Sequence, residues 1–138
     1  MAGVTVKWTG GAQFLAADEA GRVVVTDSEG LGIKPPDLLL ASLVGCAGVD
    51  VVSILEKKRK KITGIQVRVT KQNAPEPPWT IEKIEIEWVI SGPNLTQKAA
   101  EDAVRLAQEK YCSVAASLKS EIVTTVRVAA EQDGNGSW

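Results

Sequence analysis

The sequence predicts an α+β fold in which a mainly antiparallel sheet packs on one long buried central helix. Three observations carry this expectation. Apolar and polar residues alternate with period two near both ends of the chain; the segment "PPDLLLASLVGCAGVDVVSIL", Pro35 to Leu55, is apolar almost throughout; and "LTQKAAEDAVRLAQEKY" repeats its apolar residues at helical spacing.

The alternation starts with Val4, Val6 and Trp8 on one face. Gly10 and Gly11 then turn the chain, and "AQFLAAD" and "RVVVTD" follow around Ala20 and Gly21. Three short antiparallel strands are expected. The glycines and prolines of "SEGLGIKPP" mark a loop into a helix. Pro35 and Pro36 suit the first helical positions, where a missing N–H costs nothing, and Asp37 puts a carboxylate at the positive end of the helix dipole. The helix should run to about Lys58 and end in the cations of "EKKRKK", a solvated terminus that complements the dipole. Polar residues are so scarce before Glu56 that protein must cover this helix on nearly all sides. A sheet and one further helix cannot encircle it, so a homodimer with the central helices at its interface is expected.

Next come two strands with one wet face. "GIQVRVTKQ" carries Ile65, Val67 and Val69, and "WTIEKIEIEWVIS" carries Ile81, Ile84, Ile86 and Trp88, with "APEPP" as the hairpin loop between them. The amphipathic helix after "GPN" should be capped by Asn94 or Thr96 and bury Ala99, Ala103, Leu106 and Ala107. A short helical turn, "CSVAASLK", leads to a last strand, "EIVTTVRVAA". Residues 1–130 are thus expected to form a single domain. The polar, glycine-rich tail at 131–138, "EQDGNGSW", is expected to be disordered.

Composition narrows the function. The 138 residues, 44% hydrophobic, suffice for a core without staples. Sixteen Lys and Arg against 17 Asp and Glu leave a net charge of -1, so no broad field attracts nucleic acid. No basic start and apolar run open the chain, and Asp50 is expected to interrupt the longest apolar stretch before it spans a bilayer. The expectation is a cytoplasmic protein with neither nucleic-acid nor membrane partners. The absence of histidine removes Ser-His and Cys-His nucleophile systems and most zinc sites. Neither metal nor cofactor is expected, and any chemistry must run on thiols, carboxylates or guanidinium groups.

Cys46 and Cys112 are the two cysteines, too far apart for a C-x-x-C motif. Buried free cysteine often serves as a small hydrophobe, which is one reading of both. The other is reactivity. Cys112 opens a helical turn, where unpaired N–H groups lower a thiol pKa, and Cys46 has the small neighbours Ser42, Gly45, Ala47 and Gly48, which leave room for a ligand or for close helix packing.

"PPDLLLASLVGC" resembles the P-x-E-L-L-L-A-A-L-(A/G)-G-C signature of the OsmC/Ohr family of osmotically inducible and organic hydroperoxide resistance proteins. "KYCSVAASL" resembles that family's second cysteine motif, and "VKWTGGAQFLAADEAGRVVVTD" is similar to the N-terminal strands of its OsmC-like branch. The resemblance runs from about Val4 to Val128. It implies an intertwined dimer with two active sites at the subunit interface, a peroxidatic Cys46, a resolving Cys112 and an external dithiol as reductant. It also implies an arginine and a carboxylate beside the nucleophile, for which Arg22 and Asp37 are the candidates. Arg22 reads equally as an exposed strand residue. Asp37 lies nine residues before Cys46, on the opposite face of an ideal helix, and so reads better as a helix-start carboxylate.

Two functions follow. One is a thiol-dependent peroxidase that reduces organic hydroperoxides in an apolar pocket walled by Leu39, Leu43 and Leu118. The alternative is a non-catalytic protein that binds a small apolar ligand.

Overall fold

The computed structural model describes residues 1–129 and shows six strands and four helical segments. The tail at 131–138 lies outside the described residues. Chain contacts group into two compact units, Met1–Ala41 and a second beginning at Ser42, where the sequence predicts one domain.

The first unit holds β1 (Val4–Gly10), β2 (Gln13–Asp18) and β3 (Val23–Asp27), an antiparallel meander in that order. Its turns follow from glycine chemistry. Gly10 and Gly11 take φ of 120° and 54°, with a register shift between Trp8 and Gly10, and Gly21 takes φ of 81°. At the second turn the Asp18 carboxylate accepts from the backbone N–H of Ala20 and Arg22, both at 2.9 Å. Val4, Val6, Trp8, Phe14 and Val23 are exposed on this sheet.

Helix α1 (Pro35–Lys57) begins and ends within one residue of expectation. Its C-terminus is a Schellman motif with arginine where glycine is usual. Arg59 takes φ of 58°, its N–H donates to Glu56 at 2.9 Å, and the Lys60 N–H donates to Leu55 at 2.9 Å. The helix buries Leu40, Leu43, Ala47, Val51 and Leu55 and leaves Ala41, Ser42, Gly45 and Val49 exposed. Cover on nearly all sides is therefore not supplied within this chain. Asp50 does not interrupt the helix as expected either, for α1 is long and apolar enough to cross a membrane by length and composition alone. A helix buried in a protein core meets the same criterion, and the stripe from Leu43 to Leu55 is buried here.

In the second unit β4 (Gly64–Asn73), β5 (Ile81–Ser91) and β6 (Glu121–Ala129) form a second sheet. β4 and β5 pair antiparallel, while β5 and β6 pair parallel across a helical crossover. The sequence of β5 changes phase between Ile81 and Ile84, and the register shift opposite Gln72 and Asn73 absorbs the extra residue. Ile84, Ile86, Trp88 and Ile90 then all point into the core, none more than 1% exposed. A Cβ on Gly48 would sit 4.0 Å from the Trp88 ring, so α1 crosses the sheet close to the indole.

The crossover starts with α2 (Gln97–Leu106), capped by Thr96, whose hydroxyl accepts from the Ala99 N–H at 3.1 Å. Asn94 is not the cap. Its side chain instead bridges the loop after α1, accepting from the Lys61 N–H and donating to the Arg59 carbonyl, each at 3.2 Å. The buried stripe of the crossover is Ala100, Ala103, Val104 and Ala107, whereas Leu106 is 36% exposed and Ala99 half-buried. The expected stripe is thus rotated. With Ala100 in place of Ala99 and Val104 in place of Leu106, that face is small enough to lie flat on the sheet, and Leu106 is left outside.

Candidate active site

Cys46 lies in the middle of α1, half-buried, and the space beside Gly45 is open. One turn earlier, Leu43 is fully buried. What meets this part of α1 is set by an irregularity in the crossover. After Leu106 the helix widens into a π-turn (Ala107–Tyr111), in which the Cys112 N–H donates to Ala107 five residues back at 2.9 Å. Gln108 anchors that turn to the sheet, accepting from the Trp88 indole N–H at 3.0 Å and donating to the Thr124 hydroxyl at 2.8 Å. The chain then turns into α3 (Ser113–Ser117), with Cys112 as its N-cap.

Cys112 is 2% exposed. Its thiol reaches the Leu43 carbonyl at 3.8 Å, and its sulfur accepts from the Ala115 N–H at 3.4 Å. The start of α3 is thereby held against the turn of α1 that carries Cys46. The backbone N–H groups of Val114 and Ser113, the Ser113 hydroxyl and the Cys112 thiol on that segment act on the Cys46 thiol.

These contacts push the two thiols in opposite directions. The Val114 N–H, then the Cys112 thiol, then Ser113 hold the Cys46 pKa below that of an ordinary thiol, against a smaller cost of burial. Burial raises the Cys112 pKa first of all, and its hydrogen bond to Cys46 and the Cys46 charge raise it further, outweighing the Ala115 N–H. The expectation that the helix start favours a Cys112 thiolate is corrected accordingly. As the cap itself Cys112 is desolvated, while the N–H groups just after it serve its partner.

The remaining candidates are distributed as follows. Arg22 is on the first unit, its side chain 83% exposed, with its Nε 3.8 Å from the Asp18 carboxylate. Asp37 is exposed in the first turn of α1. Leu39 and Leu118 are half-buried, and Leu43 is fully buried. A cleft of about 730 Å³ lies elsewhere in the second unit, between the crossover and β6, where Val104, Arg105, Gln108, Ala115, Thr124 and Val126 help line it, without any of the three leucines. Ser113, Val114 and Gln108 escaped the sequence analysis. Proximity to Cys112 was the available signal for the first two, and no sequence signal marks Gln108 as the anchor.

A half-exposed thiol whose pKa is lowered and a buried thiol whose pKa is raised thus act on one another. The chain matches the family of OsmC-like proteins over residues 27–127, and it belongs to that family. It is 34% identical to Protein YhfA of Escherichia coli K12 over 123 residues, covering 87% of this chain and 91% of that one. A solved structure of a hypothetical protein from Aquifex aeolicus VF5 superposes with a TM-score of 0.87 at 33% identity, covering 95% of this chain and 98% of that one. The organic hydroperoxide resistance protein OhrB of Bacillus subtilis shares the fold, with a TM-score of 0.61 at 19% identity over 94% of this chain and 98% of that one.

Proposed function

We propose that the protein is a thiol-dependent peroxidase that reduces organic hydroperoxides to alcohols. The observation that carries this reading is the opposite pull of two mutually interacting thiols, Cys46 lowered and Cys112 raised. Nucleophilic attack needs a thiolate, and Cys46 is the thiol whose pKa is lowered towards one. Its sulfur attacks the terminal peroxide oxygen; an S–O bond forms as the O–O bond breaks, and the departing alkoxide takes a proton to become the alcohol. The sulfur has lost two electrons to the peroxide and becomes a sulfenic acid.

That product no longer carries the charge that helps to raise the Cys112 pKa. Cys112 is therefore released for ionisation after the first step. Its thiolate attacks the sulfenic sulfur, an S–S bond forms, and hydroxide leaves with a proton as water. An external dithiol then returns both cysteines to thiols while closing to its own disulfide. Relief of like charge thus sets the order of events: Cys112 stays a thiol, and a donor to Cys46, until Cys46 has reacted.

Two further parts of the reading rest on exposed surface and redox chemistry. The apolar side chains exposed on the first sheet, Val4, Val6, Trp8 and Val23, together with the Ala41, Gly45 and Val49 face of α1, suit burial in a homodimer. Free thiols at both positions suit a reducing cytoplasm. The test is peroxide consumption: reduced protein with cumene hydroperoxide and dithiothreitol should consume peroxide, and a rate no higher than that of Cys46→Ser would reject the proposal. Light scattering during size-exclusion chromatography should give twice the chain mass.

A further inference from the structure

Cys112 owes its direction to one extra residue in the crossover. In a regular α-helix its N–H would bond to the carbonyl of Gln108, four residues back, but in the π-turn it reaches Ala107 at 2.9 Å. One residue more turns Cys112 by about 100° relative to a straight continuation of α2. That rotation puts its sulfur 3.8 Å from the Leu43 carbonyl of α1. The packing beyond the turn is loose. α3 buries no residue of its own, and the cleft of about 730 Å³ opens between this part of the crossover and β6. Gln108, the second residue of the π-turn, spans that gap. Its amide oxygen accepts from the indole N–H of Trp88, 1% exposed on β5, and its amide nitrogen donates to the Thr124 hydroxyl on β6. Both ends of one side-chain amide are thus bound to the sheet, which fixes the rotation of the turn.

We propose that Gln108 is a positioning residue for the second thiol: by tying the π-turn to β5 and β6 it holds Cys112 where the disulfide with Cys46 can close. The proposal rests on the function given above, in which Cys112 attacks the Cys46 sulfenic acid. Gln108 acts through the turn, with no part in the bonds made or broken. Without the tie the turn can relax towards regular helix, Cys112 swings off α1, and the sulfenic acid waits longer for its partner.

The experiment reads how that sulfenic acid divides between two fates. Reduced protein without dithiol receives one equivalent of cumene hydroperoxide in the presence of dimedone, which traps sulfenic acid. Peptide mass spectrometry then gives the ratio of Cys46–dimedone adduct to Cys46–Cys112 disulfide. Only chains that have already reacted with peroxide are counted, so the ratio does not depend on the rate of the first step. Gln108→Leu is expected to raise it about tenfold, the scale set by an orphaned buried polar group. Thr124→Val cuts only the tie to β6 and should raise it about threefold. Gln108→Glu keeps one acceptor for the indole and one for the Thr124 hydroxyl, which then donates, and should return the ratio to within about twofold of the original. Unchanged ratios in both Gln108→Leu and Thr124→Val, with circular dichroism showing the fold intact, would overturn the assignment. Diamide supplies an arm without peroxide. The Cys46 thiolate adds to its N=N bond, the Cys112 sulfur attacks the Cys46 sulfur, the S–N bond breaks and the protonated hydrazine leaves. Decay of that adduct into disulfide should be slowed by Gln108→Leu to a similar extent. A protein that spares cumene hydroperoxide but closes with diamide in this Gln108-dependent way would reject the peroxidase and keep the positioning role.

Discussion

The middle of α1 and the start of α3 each present a thiol, and each thiol shifts the other's pKa, but their surroundings differ in kind. Around Cys46 the helix leaves open space beside Gly45 and receives donors from another segment. Around Cys112 the chain closes in, leaving 2% exposure, with the sulfur 3.8 Å from the Leu43 carbonyl and accepting from the Ala115 N–H of its own first turn. In the proposed peroxidase this difference makes Cys46 the nucleophile and Cys112 the protected reserve. Burial decides the direction where it dominates, and oriented donors decide it where burial is slight.

The largest break of this asymmetry is Cys46→Ser, which should abolish peroxide consumption while Cys112 stays unreactive behind its packing. Cys112→Ser should separate the two roles. It keeps the nucleophile, so with no dithiol present about one equivalent of peroxide per chain should be consumed, leaving Cys46 as sulfenic acid by mass spectrometry, and a second equivalent where it goes on to sulfinic acid.

The pH dependence sharpens the comparison. Thiolate is the alkylated form, and a lowered pKa keeps it populated as pH falls, so Cys46 should be modified faster than Cys112 at pH 7. Below its own midpoint the Cys46 rate should fall about tenfold per unit. Cys112, raised, should gain reactivity only at more alkaline pH than an ordinary thiol. Faster alkylation of Cys112 under native conditions would reverse the assignment of roles.

The smallest effect tests the support behind the reserve. Gln108→Leu leaves the Trp88 indole N–H without its acceptor and the Thr124 hydroxyl without its donor. Urea unfolding should show a loss of about 1–3 kcal/mol, the typical cost of an orphaned buried polar group. The π-turn that presents Cys112 should loosen with it, and native alkylation of Cys112 should rise.

Much of the fold was legible from the chain alone because its signals are local. Alternation placed the strands, Pro35, Pro36 and Asp37 placed the start of α1, and Thr96 was one of two named caps. The phase change in β5 was not legible in the chain, where Ile81, Ile84, Ile86 and Trp88 read as one alternating face; pairing with β4 revealed it as a bulge. The two cysteines were legible as candidates from their motifs. Less legible was the direction of each pKa shift, which the chain order suggested for the wrong thiol.

Residue pattern by itself determined an α+β chain with a long apolar helix carrying Cys46 and a short helical start carrying Cys112, since helix and strand signals depend on neighbours within a few positions. Tertiary structure decided which sulfur those helix-start N–H groups serve. A hydrogen-bond donor acts across space on whatever group folding brings near it; the π-turn anchored by Gln108 between Trp88 and Thr124 sets where α3 starts, and its N–H groups lower the pKa of Cys46, a residue of another helix.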